Sequence, residues 1–140
     1  MILAVFDCGV LVSAIGWSGN PRSCLTLVSA RQVQLCVTTA FWEEYDVRVP
    51  QILAERRPGV DSRPLLDWLL TVVCFVEPAQ LGKQRSRDVE DERYLACALS
   101  VQAAALVSND RDLLALGKPF GVPIMTPIQF LKLARSRAGF

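Results

Sequence analysis

The sequence predicts an α/β fold, a three-layer α/β/α domain built on a mostly parallel sheet of about five strands. Short apolar runs alternate along the chain with longer stretches of 3.6-residue periodicity, the pattern of repeated strand–helix units. The short runs are continuously apolar rather than alternating, as strands are when helices cover both faces of a parallel sheet. At 140 residues the chain reads as one domain, 1–140, long enough to bury a sizeable core. Its crossovers are expected to be right-handed.

The elements follow in order. "ILAVF" (2–6) is the first strand, and residues 21–32 form a helix with Pro21 in its first turn. "QLCVT" (34–38) is the second strand. A helix begins near Thr39, with Phe41, Trp42, Tyr45, Val49, Ile52 and Leu53 on one side, and Pro50 is expected to kink or divide it. A further helix starts near Ser62 with Pro64 in its first turn. "VCFVE" (73–77) is the third strand, and residues 78–87 form a polar loop ending in "KQRSR". Residues 90–102 are helical and "AALVS" (104–108) is the fourth strand. "DRDLLALG" (110–117) is a short helix stopped by Gly117. "VPIM" (122–125) is the last strand, at an edge that tolerates Pro123. Thr126 caps the final helix, with Pro127 at its first position and Gln129 completing a capping box.

Composition narrows the chemistry. With 51% hydrophobic and 21% charged residues the chain reads as globular, and its net charge of +1 excludes a broad basic field for nonspecific polyanion binding. The five cysteines are odd in number and contain no CxxC pair, which points to free thiols in a cytoplasmic protein. "MILAVF" is too short for a secretion signal, and no apolar run reaches the ~18 residues of a membrane span. The sequence has no histidine, which excludes Ser-His-Asp and Cys-His systems and His-ligated zinc. Neither GxxxxGK[ST] nor GxGxxG is present. Chemistry is left to carboxylates, hydroxyls, Lys/Arg, thiols or a metal.

The acids are distributed informatively. Two apolar strands run directly into an aspartate, "AVFD" at Asp7 and "LVSND" at Asp110, so both stand on the carboxyl rim where open parallel sheets bind ligands. Each is equally suited to cap the next helix. "SRDVEDERYLACA" opens another helix with four carboxylates, of which Asp88 and Asp91 are i,i+3 and share a side. "FWEEYD" adds Glu43 and Glu44, which helical phase barely separates. Carboxylates crowded on one rim either rise in pKa or hold a cation, and an all-oxygen set suits Mg²⁺ or Mn²⁺. Such a site suits phosphoryl chemistry.

At these residues the chain resembles the PIN-domain family of Mg²⁺/Mn²⁺-dependent ribonucleases, and most of all its bacterial group of toxin components from toxin–antitoxin pairs. "AVFDCGVLVSAI" is similar to the family's strand ending in Asp-Thr-Asn before an apolar helix, with Asp7-Cys8-Gly9 as the triplet. The resemblance puts the mid-chain acid at Glu44. It matches "SRDVEDERYLACA" to Asp-Pro-Asp-Asp-x-x-Phe-Leu through Asp88 and Asp91, and "LVSNDRDLLAL" to [Thr/Ser]-x-Asp-x-Asp-Leu-Leu through Ser108, Asp110 and Asp112. Cys8 and Gly9 depart from the family by removing a hydroxyl and an amide beside the first acid.

The resemblance implies an endoribonuclease in which Asp7, Asp91 and Asp110 hold the metal directly or through water. Glu44 and Asp88 complete the acidic pocket, and Ser108 and Asp112 support it. It implies as partners an RNA substrate, a small antitoxin protein and a second copy in a homodimer. Lys83, Arg85 and Arg87 are candidates for phosphate contacts, and Trp17 for an exposed anchor, while Trp42 and Trp68 suit the core. Two other readings remain at this point. One is a haloacid-dehalogenase-type phosphatase with Asp7 as nucleophile, which wants a second acid where Gly9 stands. The other is a PIN scaffold that binds RNA or protein without catalysis.

Overall fold

A computed structural model of the chain describes residues 1–82 and 89–137, with the backbone alone at 89 and 90. The strands are β1 (Ile2–Phe6), β2 (Val33–Val37), β3 (Cys74–Phe75), β4 (Ala105–Val107) and β5 (Ile124–Met125). All pair in parallel, in the order β3-β2-β1-β4-β5. The helices are α1 (Cys8–Gly16), α2 (Asn20–Ser29), α3 (Thr39–Arg56), α4 (Arg63–Val72), α5 (Val89–Ser100), α6 (Arg111–Leu114) and α7 (Pro127–Arg137). Together they make the expected three-layer α/β architecture.

β1 is central, and its residues Ala4, Val5 and Phe6 are fully buried, as a strand covered on both faces must be. Phe6 meets Phe130 of α7 edge-on, with ring centroids 6.1 Å apart, and Phe41 tilts against Tyr45 and Tyr94 at 5.4 and 5.0 Å. The Tyr45 hydroxyl donates to the Phe6 carbonyl, so α3 is tied to the end of β1.

Several expectations need correction. "VCFVE" contributes only Cys74 and Phe75 to the sheet, both exposed, because β3 is an edge strand with β2 alone as neighbour. Pro50 does not divide α3, which runs unbroken from Thr39 to Arg56. One backbone bond is lost at the proline, but Val49 and Leu53 on either side are anchored in the core. The remaining strand and helix limits differ from expectation by a few residues, except that α6 ends at Leu114, with Gly117 (φ +71°) in the turn that follows. β5 lies at the other edge, where Pro123 was expected, and Thr126 and Gln129 form the capping box through bonds of 2.9 and 3.3 Å. All five cysteines are free thiols, and burial pushes Cys24 and Cys97 up to about 12 and Cys36 to about 11.

α1 and α3 approach closely at Gly16. A Cβ there would lie 2.8 Å from Leu53 Cδ2 and 3.6 Å from Arg57 Cγ, and Leu53 is itself buried. Gly16→Val is therefore expected to destabilise the fold by about 1–3 kcal/mol through overpacking. A urea midpoint equal to wild type would show that the contact yields without cost.

Candidate active site

The order of the strands places a crevice. The chain builds outward from β1 through β2 to β3, then returns to lay β4 on the other side of β1. The point of reversal lies between β1 and β4, and open parallel sheets bind ligands beyond the carboxyl ends of the strands there. Asp7 follows β1 directly. Ser108 follows β4, and Asp110 comes two residues later.

These three side chains form one connected unit. Asp7 caps α1 through Oδ1, which accepts from the Val10 N–H at 2.8 Å. Its Oδ2 accepts a hydrogen bond from the Ser108 hydroxyl. That hydroxyl oxygen accepts in turn from the Asp110 N–H at 2.9 Å, and Asp110 Oδ1 caps α6 by accepting from the Asp112 N–H at 2.8 Å. Both aspartates are thus helix caps and rim carboxylates at once. In each, Oδ1 serves the backbone, and Asp7 Oδ2 is held by Ser108 at the wall of the crevice.

Two further segments complete the walls. Thr38 caps α3, and from its second turn Glu44 reaches the same cleft with its side chain only 7% exposed. Glu43 is exposed, so the choice that helical phase left open falls to Glu44. Arg48, one turn further along α3, pairs with Glu44 at 3.0 Å. α5 contributes Asp91 and Tyr94, and the Tyr94 hydroxyl accepts from the Cys8 N–H at 3.2 Å. The resulting cleft has a volume of about 380 Å³, with Asp7, Glu44, Asp91 and Asp110 on its walls.

Burial dominates the electrostatics of Asp7. Loss of water pushes its pKa from 3.8 up to about 6. The bonds from Ser108 and Val10 oppose the rise, and the negative charges of Asp110 and Glu44 add to it. A cation in the cleft would offset this penalty, and four carboxylates, with Cys8 the one thiol residue among the lining, offer a mainly oxygen donor set that suits a hard divalent ion. Among the described residues, however, no three acidic or thiol groups already converge into an ion cage.

A PIN-domain family model matches residues 4–112, more than three quarters of the chain and every residue that lines the cleft. The chain belongs to the PIN-domain family. PIN domains are generally nucleases, which act on phosphodiester bonds. No curated protein matches the chain. Among the described residues of this PIN domain, no helix is long and apolar enough to cross a membrane.

Of the residues singled out in the sequence, the PIN fold brings Asp7, Glu44, Asp91, Ser108 and Asp110 together. Asp112 supplies its backbone N–H to Asp110, but its own carboxylate is exposed and does not line the cleft. Asp88, Lys83, Arg85 and Arg87 lie outside the described residues. Trp42 is buried and Trp68 packs against the core, while Trp17 is 37% exposed, as expected of each. The sequence reading passed over Arg48, Arg56 and Tyr94, which also line the cleft. A signal existed for the arginines: Glu44, Arg48, Ile52 and Arg56 recur every four residues, one stripe of a helix. Tyr94 returns a hydroxyl to the neighbourhood of Asp7, where Cys8 lacks one.

Proposed function

We propose that this PIN domain is a Mg²⁺- or Mn²⁺-dependent endoribonuclease. The observation that carries the reading is the gathering of four carboxylates from separate segments at the switch point, with Asp7 driven up to about 6 by burial and by its acidic neighbours. Asp7, Asp91 and Asp110 hold the ion, directly or through water. Glu44 and Asp88 complete the acidic pocket, and one of them orients the attacking water. Ser108 holds Asp7 by its hydroxyl and Asp110 by the backbone N–H, so it keeps the two carboxylates in register. Asp112 acts through its backbone on Asp110. When bound, a divalent cation supplies water activation and neutralises charge on the phosphate and leaving oxygen.

In the fuller form of this proposal residues 1–140 act as one unit, the toxin of a toxin–antitoxin pair. It works in the cytoplasm as a homodimer held in check by a small antitoxin. The support for that form is the likeness of the motifs to bacterial PIN toxins. The phosphatase reading finds no support, since Gly9 leaves no second acid two residues beyond Asp7. A scaffold that binds RNA without cutting it is favoured by one observation, the lack of three converged acids among the described residues.

Purified protein incubated with transfer RNA and messenger RNA should cut in Mn²⁺ and stop in EDTA, and Asp91→Asn and Asp110→Asn should both be inactive. Binding of RNA with no cleavage in any divalent ion would favour the scaffold. Cleavage that persists undiminished in EDTA would sink the metal-dependent reading.

Gly9 offers a separate check. A Cβ at this position would meet only Asp7 Oδ1, at an ordinary 3.6 Å, and Gly9 is not among the residues with positive φ. Gly9→Asn should therefore fold normally and place an amide beside Asp7. The expected result is tighter Mn²⁺ binding or faster turnover, on the order of 10-fold, the scale on which such supporting groups act. Unchanged kinetics in a well-folded variant would show that the Tyr94 hydroxyl already serves this need.

A further inference from the structure

One edge of the sheet carries a pair of thiols. β3 is two residues long with β2 as its sheet neighbour, and the parallel register sets Cys74 beside Cys36. Register partners on adjacent strands stand about 4.8 Å apart and point to the same face. A disulfide spans a Cα separation of about 4.4–6.8 Å. The backbone therefore already holds these two cysteines at bonding range, although both are free thiols in this structure.

The environments of the two sulfurs differ. Cys74 is exposed, whereas Cys36 is 1% exposed and its Sγ donates weakly to the Gln34 carbonyl at 3.8 Å. Burial pushes Cys36 up to about 11, and the nearby Cys74 adds to the rise. Burial likewise pushes Cys97 of α5 up to about 12, with Cys36 and Cys74 adding to it, and Cys24 up to about 12. Buried thiols of this kind stay protonated at neutral pH and react slowly with dissolved oxidants. Cys74 is the sulfur that an oxidant meets first. Cys36 can follow because it is held next to Cys74, and an intramolecular step gains enough over a bimolecular one to offset a small thiolate fraction. Among the described residues no three thiols or acids converge into an ion cage, which leaves oxidation as the chemistry of the pair.

We propose that Cys36 and Cys74 are an oxidant-sensitive dithiol that closes reversibly into a disulfide across the β2–β3 edge, with hydrogen peroxide as the oxidant. The Cys74 thiolate attacks one peroxide oxygen, the O–O bond breaks, the sulfur is oxidised to a sulfenic acid, and the other oxygen leaves as water with the thiol proton. The Cys36 thiolate then attacks the sulfenic sulfur. An S–S bond forms, the S–O bond breaks, and hydroxide leaves as water with the Cys36 proton. In sum, two thiols and one peroxide give one disulfide and two waters, a balanced two-electron exchange. Disulfides hold their Cβ atoms about 3.8 Å apart, closer than the strand spacing, so closure must draw β3 inward. A two-residue edge strand can shift by that amount at the cost of strain, and strained or exposed disulfides are the easily reduced ones. The bond is accordingly a switch and not a permanent staple. It joins the strand that leads into α3 to the strand that follows α4, and encloses both helices in one loop. Neither a cation nor cleavage of any substrate is required for it.

The test exposes the whole protein, in EDTA, to hydrogen peroxide, blocks the remaining thiols with N-ethylmaleimide in denaturant, and maps the peptides without reduction. Wild type, Cys36→Ala, Cys74→Ser and Cys97→Ala are compared, each with a melting curve before treatment. Wild type should lose two hydrogens, leave three of its five thiols to the maleimide, and yield one cross-linked peptide joining Cys36 to Cys74. Reduced glutathione should reopen that bond. Cys36→Ala should instead accumulate a Cys74 sulfenic acid that dimedone traps, and Cys74→Ser should keep its four thiols through the same exposure. Cys97→Ala should close the bond as wild type does. Wild type that forms no disulfide would overturn the proposal, as would a bond from Cys74 to Cys97 or to a second copy, or equal oxidation of all five thiols. The linkage is read directly in wild type, so the decision stands even where the buried Cys36→Ala variant folds poorly.

Discussion

Asp7→Asn will cleave no RNA, and in EDTA at neutral pH it will be more stable than wild type. The two effects have one origin. Asp7 is buried, and its pKa in the folded protein stands at about 6 against an ordinary 3.8. Below pH 3.8 the carboxyl is neutral in both folded and unfolded chains and carries no penalty. Between 3.8 and about 6 the unfolded chain ionises while the folded one still holds the proton, so stability falls as pH rises. Above about 6 the loss is complete, on the order of 2–3 kcal/mol for a shift of this size. Asn removes that loss but not without cost. If the Asn oxygen keeps the bond from Val10, its amide faces a Ser108 hydroxyl that has lost its acceptor, at about 1 kcal/mol. The net gain should raise the melting temperature by roughly 5 °C in EDTA. The stability of the variant should also be flatter between pH 4 and 6. A variant that melts below wild type across this range would show that the carboxylate is compensated inside the fold and needs no cation.

Ser108→Ala will lower Mn²⁺ affinity and turnover together, by about 10–100-fold, although Ser108 is buried and is not proposed to touch the ion. Its hydroxyl is the main influence holding the Asp7 pKa down, so its loss drives that value above about 6. Asp7 must be ionised to accept a cation. The pH at which activity reaches half its maximum should therefore move upward in the variant, a response that loss of packing alone would not produce. The Asp110 N–H also loses its acceptor, which should destabilise the fold by about 1–2 kcal/mol. Ser108→Thr keeps the hydroxyl and should keep the wild-type pH profile. An unshifted profile in Ser108→Ala would mean that the hydroxyl orders the loop and leaves Asp7 unaffected.

Much of the fold was legible because its strands are largely apolar, β2 being broken only by Gln34, and two of them run on into an aspartate. Asp7 and Asp110 could be put on one rim from that fact alone, since parallel strands share a carboxyl edge. α1 was harder to see. Val10, Leu11, Val12, Ala14 and Ile15 are buried nearly all round, so the helix has no polar face and no amphipathic period, and only its Asp cap and the family likeness announce it. β3 was overestimated because "VCFVE" is apolar enough for a central strand, while its edge position is a tertiary fact. Pro50 misled in the same way, its local cost being outweighed by the anchoring of Val49 and Leu53. Within the site, Glu44 could not be separated from Glu43 by phase, because both lie beside the apolar stripe of α3. The arginines of that helix went unread because attention to acids hides a four-residue repeat of mixed charge. Tyr94 reads as core in the sequence, and only its long-range bond to the Cys8 N–H joins it to the cleft.

The acids at the β1/β4 crevice are proposed to form a divalent-cation site. The most direct measurement is calorimetric titration of Mn²⁺ into metal-free wild type and into the Asp7→Asn, Asp110→Asn double variant. Wild type should bind Mn²⁺ saturably, with proton release near pH 6 as Asp7 ionises and with a higher melting temperature. The double variant should show no such binding. Equal Mn²⁺ binding by the two proteins, or none by wild type, would rule out a cation site at these acids.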